Sequence, residues 1–283
     1  MQPLTQPLVR LDDLEAALPE LAERYASAQP YPHIVLDDVL PADVLERVYA
    51  EFSEIPDDAW TNYLHLNERK YANTDRRTWG STLQGVADEL SGDRFVAFLS
   101  QLTGFEGLHA DDVMDGGGLH RSLRGGFLNI HADFTAHHTK PSWRRRVNLL
   151  LYLNPTWDLA WGGQLQLWSK DMQHVIDEVE PRGNRILLFT TDEHSYHGHP
   201  EPLMVPEGMA RQSLALYYFT EEDHVHHRAT DYRARPGDGL RAASIYLDKK
   251  ALQVYDVLKR RLHLSDGFVS RTLGFFSRPR RRR

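Results

Sequence analysis

The chain has 283 residues, 41% of them hydrophobic, so it can bury a full core in one large domain or two small ones. It contains no cysteine, which excludes disulfide bonds, thiolate metal sites and thiol nucleophiles, so any metal must be held by His, Asp or Glu. No apolar run approaches the roughly 20 residues of a membrane span, and the N-terminal segment lacks the regions of a signal peptide. We therefore expect a cytoplasmic globular protein.

The formal net charge of -7 is unevenly distributed along the chain. Residues 224–283 carry 15 Lys and Arg against 5 Asp and Glu, whereas the rest of the chain is acidic. A protein dedicated to nucleic acid would more often be basic in its body as well. The distribution predicts a basic tail and argues against a nucleic-acid partner.

The first hundred residues are predicted to be mostly helical support. Apolar residues recur at helical spacing between residues 10 and 29. The segment YPHIVLDDVLP, residues 31–41, then predicts a short strand stopped by proline, and a helix is expected from Asp43 to Phe52. We assign residues 1–110 to this N-terminal helical region.

Short strand-like runs separated by Gly, Pro and Asn turns dominate the middle of the chain. The runs are FLNIHADF, RVNLLLYLN, GGQLQLW, HVIDEVE, NRILLFT and SLALYYFT. Such a series predicts a β-sandwich or barrel, here a double-stranded β-helix (jelly roll) over residues 111–222. The fold class is therefore mainly β with flanking helices (α+β).

A basic helical C-terminal extension is predicted over residues 223–283. Its two helices are expected at LDKKALQVYDVLKRRL and DGFVSRTLGFF. Their apolar positions could pack on the barrel or on a second copy of the chain, which leaves a homodimer open. The three regions are expected to form one integrated domain.

Two residues of the first strand in the jelly-roll zone have the spacing of metal ligands. On a β-strand residues i and i+2 project from the same face, so His131 and Asp133 can point together into a barrel. Two histidines and one carboxylate on one face of an octahedral metal leave three positions open, as in non-haem Fe(II) oxygenases. Alone the H-x-D spacing is a weak signal, since it also arises by chance in surface strands.

The segment HSYHGHP, residues 194–200, offers three histidines as the missing ligand. His197 and His199 share one face of an extended segment. His194 is an odd number of residues from both and should face the opposite way. Spacing therefore favours His197 or His199.

Four ordered motifs between residues 119 and 220 resemble the Fe(II)- and 2-oxoglutarate-dependent dioxygenases, in particular their prolyl 4-hydroxylase-like branch. They are HAD, LLLYLNPTW followed by GGQLQLW, NRILLFTTDEHSYHGHP, and RQSLALYYF. The resemblance implies that Ser195-Tyr196-His197 carries the distal histidine of the family. It makes His131, Asp133 and His197 the metal ligands and catalytic centre, with His199 in reserve.

The resemblance also implies Fe(II), 2-oxoglutarate and O2 as cofactor and co-substrates, and leaves ascorbate open as a further reductant. An arginine fork can bind the distal carboxylate of 2-oxoglutarate in bidentate fashion. The family pattern puts this task on Arg211, with Tyr152 donating its hydroxyl. The 14-residue step from His197 to Arg211 is longer than usual in the family, and residues 201–210 resemble an insertion that accounts for it.

The implied activity is hydroxylation of an unactivated C–H bond with release of succinate and CO2. Asp133 supports hydroxylation, because family halogenases free that position for chloride. The substrate is either a prolyl or other peptidyl residue or a small molecule. The alternative is a jelly-roll metal-dependent isomerase or a non-catalytic metal-binding module, neither of which needs a 2-oxoglutarate anchor.

Two weaker features lie nearby. Arg146 alternates onto one face with Asn148, Leu150 and Tyr152, so it could stand at the barrel mouth and meet an anionic substrate group, or lie in a solvated basic turn. The remaining histidine clusters lie in polar connections without a paired carboxylate and are expected to be exposed. They comprise His137, His138, His224, His226 and His227.

Overall fold

The computed structural model describes residues 7–240, 242–247 and 250. In this part of the chain, 13 antiparallel strands form one sheet that closes into a nearly complete barrel. The strands are β1 (His33–Asp37), β2 (Thr61–Leu64), β3 (Glu68–Asn73), β4 (His109–Ala110), β5 (Gly118–Ser122), β6 (Phe127–Ala132), β7 (Trp143–Tyr152), β8 (Leu165–Trp168), β9 (Val175–Val179), β10 (Arg185–Thr190), β11 (His197–His199), β12 (Arg211–Glu221) and β13 (Asp231–Tyr232). The predicted jelly-roll fold is confirmed.

The strand order around the barrel is β1-β10-β7-β12-β5-β3-β6-β11-β8-β9. Three short strands join this path from the side: β2 pairs with β3, β4 with β12, and β13 with β6. The order brings β6 and β11 together, although 64 residues separate His197 from Asp133. It also sets β12 between β7 and β5, so that β12 spans the barrel wall.

Five helices precede the barrel strands or cover the outside of the sheet. They are α1 (Leu11–Ala16), α2 (Leu18–Ser27), α3 (Ala42–Ser53), α4 (Ser81–Ser91) and α5 (Asp93–Thr103). The helical segment predicted between residues 10 and 29 is divided into α1 and α2 at Ala17. Pro19 lies in the first turn of α2, where its missing amide hydrogen costs nothing, and it could not continue α1.

The main hydrophobic core lies between these helices and the outer face of the sheet. Alternate residues of β7 and β12, such as Leu149, Leu151 and Leu214, point outward and pack with Val48 of α3 and Leu99 of α5. Every one of these side chains is fully buried. The other alternate residues face the barrel interior, where the polar and charged side chains described below collect.

The predicted helical support in residues 1–110 is present, but the region also contributes β2 and β3. This hairpin lies across the barrel, because β3 pairs with both β5 and β6. Its sequence, TNYLHLNERKYAN, has no apolar alternation, so no strand was expected there. The region is therefore part of the barrel wall as well as its support.

The described part of the C-terminal extension comprises residues 223–240, 242–247 and 250. Most of the first predicted helix and all of the second lie outside the described residues. Nothing in the described part of the chain supports a homodimer. No helix there combines the length and the apolar character needed to cross a membrane.

Candidate active site

Strands β6 and β11 bring three side chains to one point inside the barrel. His131 on β6 lies directly opposite His197 on β11, and Asp133 follows two residues after His131. One potential ligand atom from each residue lies within 4.8 Å of the other two. The side chains are only 5%, 4% and 8% exposed for His131, His197 and Asp133. The structure thus assembles the three residues predicted as metal ligands.

Both histidines present the same ring nitrogen to this point. The Nδ1 atoms of His131 and His197 each lie 2.9 Å from a backbone carbonyl oxygen, that of Asn129 and that of Ser195. A carbonyl oxygen can only accept, so the proton of each neutral ring is on Nδ1 and Nε2 keeps its lone pair. Each Nε2 lies 3.5 Å from an oxygen of Asp133. Two nitrogen donors and one oxygen donor therefore converge.

Burial keeps His197 in the form that a metal needs. Burial and, to a smaller extent, His131 lower the pKa of His197 to about 4, against a weaker opposing effect of Asp133. Metal ligation requires a neutral imidazole. The ring is already neutral at physiological pH, so no proton has to be displaced.

Gly198, between the two inward-facing histidines of β11, allows the close pairing with β6. A Cβ at this position would lie 2.7 Å from the carbonyl oxygen of Leu128 and 2.9 Å from that of Asn129. Backbone atoms cannot give way as a flexible side chain can, so only glycine fits. The spacing of His197 and His199 in HSYHGHP thus has a structural reason.

Two residues that sequence reasoning did not assign to the centre hold Asp133. Asn148 on β7 donates to Oδ2 of Asp133 at 2.7 Å, and Nη2 of Arg145 lies 3.2 Å from the same oxygen. Arg145 also donates from Nε to Oδ1 of Asn148 at 2.7 Å. Its guanidinium lies 3.3 Å from the ring centre of Tyr217.

This network keeps Asp133 ionised. Burial alone would raise the pKa of Asp133, but Arg145 and the two histidines outweigh it and hold that pKa well below its ordinary value. Because Oδ2 already has two donors, the carboxylate is held in one orientation. A fixed, charged oxygen is thereby available to a cation.

A β-bulge decides which arginine of the triplet 144–146 enters the barrel. Tyr218 of β12 pairs with Val147, whereas the next residue, Phe219, pairs with Arg145, so Arg146 is the extra residue. The alternation is reversed beyond that point. Arg145 points inward and is 2% exposed. Arg146 points outward to Thr220 and Glu222, so the predicted place of Arg146 on the face of Asn148 is wrong.

The bulge provides a matched pair of variants. We expect Arg145→Met to lower metal affinity about 10- to 100-fold, the usual effect of removing a residue that orients a ligand. Arg146→Met, one residue away but outside the barrel, should leave metal affinity unchanged. Titration with Co(II), followed by visible absorption, measures both, and melting temperatures check folding. Equal affinities in the two variants would show that Arg145 does not support the centre.

Arg211 and Tyr152 meet on the interior wall at the start of β12. Nη2 of Arg211 lies 3.3 Å from the hydroxyl of Tyr152, and its Nε donates to the carbonyl oxygen of Gly163 at 3.0 Å. Burial raises the pKa of Tyr152, so its hydroxyl stays protonated. Arg211 is 7% exposed, and among the described residues no carboxylate forms an ion pair with it. It is a buried cation that lacks an anion.

Gly163 is needed for this arrangement. Its φ is +81°, and a Cβ there would lie 2.6 Å from Leu203 and 3.2 Å from Cδ of Arg211. Both the backbone conformation and the space require glycine. The motif GGQLQLW, identified in the sequence as a turn and strand, therefore also positions Arg211.

The other two histidines of HSYHGHP are placed differently. His199 is buried on the same face as His197 but is not in the cluster of potential ligands. His194 precedes β11, and its side chain is 45% exposed. This placement agrees with the prediction that His194 faces away from the other two histidines.

The expectation that the remaining histidines are exposed holds for His224, His226 and His227. It is wrong for His137 and for His138, which is partly buried with Nδ1 2.7 Å from Oδ2 of Asp115. His137 is fully buried, and its Nε2 lies 3.2 Å from Oδ1 of Asp111. Its Nδ1 accepts the backbone N–H groups of Thr139 and Lys140, so the ring holds a loop together. The partner carboxylate lies 26 residues upstream, so no local sequence pattern could indicate this pair.

Comparison with known proteins relates the middle of the chain to a family. Residues 117–219 match the model of the 2OG-Fe(II) oxygenase superfamily. A prolyl hydroxylase from Trichoplax adhaerens, in complex with a peptide fragment of the hypoxia inducible factor oxygen degradation domain, has a similar structure. It is 18% identical, with a TM-score of 0.54, over 74% of this chain and 92% of that chain.

A prolyl-4-hydroxylase from Pseudomonas putida is similar at 19% identity and a TM-score of 0.50, over 72% of this chain and 100% of that chain. No curated protein sequence matches the chain. The cluster inside the jelly roll offers two imidazoles and one carboxylate, which is the donor set used by non-haem Fe(II) oxygenases. Residues 117–219, which contain the cluster, are thus similar to the 2OG-Fe(II) oxygenase superfamily in sequence, and the barrel is similar in fold to the two prolyl hydroxylases.

Proposed function

We propose that the protein hydroxylates an unactivated C–H bond, with His131, Asp133 and His197 as its iron ligands and Arg211 with Tyr152 as the anchor of 2-oxoglutarate. The observation that carries this proposal is the buried guanidinium of Arg211, which has no carboxylate partner within the described part of the chain and lies in the same barrel as the triad. When bound, iron and 2-oxoglutarate supply the activation of O2 and the oxidising power for such a reaction.

The residues present fit both groups. The triad offers two imidazole nitrogens and a carboxylate oxygen, the donor set of non-haem Fe(II) oxygenases. Arg211 offers a forked set of donors to a carboxylate, and Tyr152 adds a hydroxyl donor beside it. Both are buried on the barrel interior, so water is largely excluded from the contact. The carboxylate of a dianion would therefore be held strongly there.

The chain's own residues prepare the centre. Asn129 and Ser195 fix the tautomers of the two histidines through their backbone carbonyls. Asn148 and Arg145 fix the orientation and charge of Asp133. Preorganised ligands and a shielded pocket position a substrate and keep solvent away from the reacting carbon.

The metal isomerase or binding module remains the competing function, and Arg211 speaks against it. Leaving a guanidinium buried without an anion costs several kcal/mol, on the order of the desolvation of one charge. An isomerase working on the metal alone has no use for this cation. A co-substrate with a carboxylate explains it.

The substrate is proposed to be a peptidyl residue, prolyl in the first instance, or a small molecule. The similar protein from Trichoplax adhaerens was solved with a peptide, which supports a peptidyl substrate. The charged interior strand β3, with Glu68 and Lys70, instead supports a small polar substrate. Both kinds belong in the panel that tests the proposal.

The test is a succinate-release assay with Fe(II), 2-oxoglutarate and O2 over proline-containing peptides and small polar metabolites. We expect succinate in the wild type, and more of it when a true substrate is present. His197→Ala should release none and serves as the control. Absence of succinate across the panel, together with no binding of 2-oxoglutarate, would favour the isomerase or binding module.

A further inference from the structure

His199 is a buried polar residue of β11. It is 4% exposed and lies on the same face of β11 as His197. Its Nδ1 is inaccessible to solvent, yet it has no hydrogen-bond partner among the described residues. A buried polar atom left without a partner costs roughly 1–3 kcal/mol, and such atoms in native proteins call for an explanation.

Strand pairing places charged side chains near His199. Leu128 of β6 lies opposite His199 on one side and opposite Glu68 of β3 on the other. Gly198, beside His199, pairs with Gln166 of β8, three residues after Gly163, whose carbonyl oxygen accepts a hydrogen bond from Arg211. A neutral imidazole ring offers one N–H donor and one acceptor.

The strand register shows that Lys70 shares this interior space. Ala72 of β3 lies opposite His120 of β5, which lies opposite Ser213 of β12, which lies opposite Tyr152. Residues directly opposite one another point to the same face, so Lys70, two residues from Ala72, points inward with Tyr152. Among the described residues its ion-pair partner is Glu68, at 3.1 Å.

The space between the triad and Arg211 thus has the chemistry of an anion site. Arg211 of β12 and Lys70 of β3 reach it from different strands, and His199 of β11 brings a ring nitrogen that has no hydrogen-bond partner among the described residues. The carboxylate of Glu68 is already occupied by Lys70 and His65. Because Glu68 neutralises Lys70, Arg211 is the charge that favours a ligand with a carboxylate here.

We propose that His199 is a third binding residue for 2-oxoglutarate, donating its ring N–H to a carboxylate oxygen of the dianion that Arg211 and Tyr152 anchor. This inference rests on the proposed function. It differs from the prediction from strand spacing, in which His199 is only a reserve metal ligand. It explains why a polar ring is retained at a site where a leucine would pack without an unpaired nitrogen.

The test compares His199→Leu, His199→Gln and the exposed control His194→Leu. The probe is 2-oxoglutarate, titrated under anaerobic conditions into Fe(II) protein and followed by the absorption of the chelate. We expect His199→Leu to raise the dissociation constant about 10-fold to 100-fold, the effect of losing a hydrogen bond to a charged group. His199→Gln, which keeps an N–H donor, should recover part of the affinity.

Two further measurements on His199→Leu, its metal affinity and its melting temperature, decide the interpretation. Metal affinity should be unchanged in His199→Leu, and its melting temperature without ligand should equal or exceed that of the wild type, because an unpaired polar atom has been removed. An unchanged dissociation constant for 2-oxoglutarate, or a loss of metal, would overturn the role of His199 alone. A wild-type protein that binds Fe(II) but no 2-oxoglutarate would overturn the proposed function as well.

Discussion

Replacing Arg211 with methionine should weaken 2-oxoglutarate binding about a hundredfold while the metal site stays intact. The guanidinium is 7% exposed, so its contact with a carboxylate is formed away from water. Breaking a buried charge pair costs on the order of 3 kcal/mol, or roughly a hundredfold in affinity. Tyr152→Phe removes one neutral hydroxyl donor and should cost about 1 kcal/mol.

The stability of the ligand-free protein should not fall when Arg211 is replaced, in contrast to its affinity for 2-oxoglutarate. Without its anion, Arg211 is a buried charge with no ion-pair partner among the described residues, so Arg211→Met should leave the ligand-free protein as stable or more stable. A structural arginine would instead lose stability on replacement. Melting temperatures measured with and without 2-oxoglutarate separate the two cases.

The surface arginine Arg182 is the control for this experiment. Arg182 and Arg185 both pair with Asp37 at the end of β1, so their charges already have a partner and neither is the better anchor. Arg182→Met should therefore bind 2-oxoglutarate normally. An unchanged midpoint in Arg211→Met would transfer the anchor to another residue, and no chelate absorption in the wild type would favour the isomerase or binding module.

Much of the barrel could be predicted because its strands follow simple alternation. β7 and β12 carry outward leucines that build the core, and the intervening turns contain Gly, Pro and Asn. The triad was predictable for a related reason. Residues i and i+2 share a strand face, and the ordered motifs indicated which distant histidine completes the set.

What could not be predicted depends on register and on distant partners. The bulge at Arg146 exchanges the faces of Arg145 and Arg146. A register shift of one residue cannot be recognised from the sequence pattern. The strand β3 points Glu68 and Lys70 inward, a pattern that reads as solvent-exposed until a polar cavity is known to lie there. Local rules therefore failed where the interior is polar.

The residues whose roles could not be predicted from the sequence lie in the candidate site. The residues that sequence reasoning missed, Asn148 and Arg145, contact the predicted ligand Asp133 directly. Their importance comes from the pairing of β7 with β12 and from the path of the chain after β6, both of which are long-range properties. A ligand set is thus easier to predict than the residues that orient it.

Alanine at His131, Asp133 or His197 should abolish specific Fe(II) binding and with it turnover. Each replacement removes one of three donors, so the loss should exceed the 10- to 100-fold expected for an orienting residue such as Arg145. His194→Ala, at an exposed position, should bind iron and turn over normally. Metal content after anaerobic dialysis and succinate release provide the two measurements.

The three ligand variants should differ in stability, which gives an independent check. Asp133→Ala leaves the buried guanidinium of Arg145 without its carboxylate, and breaking a buried pair in this way costs about 3–5 kcal/mol. His197→Ala breaks no charge pair, because its ring is neutral, and should cost less. In the metal-free state the melting temperature of Asp133→Ala should therefore be the lowest of the three. If His197→Ala retained iron while His199→Ala lost it, the distal ligand would be His199, and the roles proposed for these two histidines would have to be exchanged.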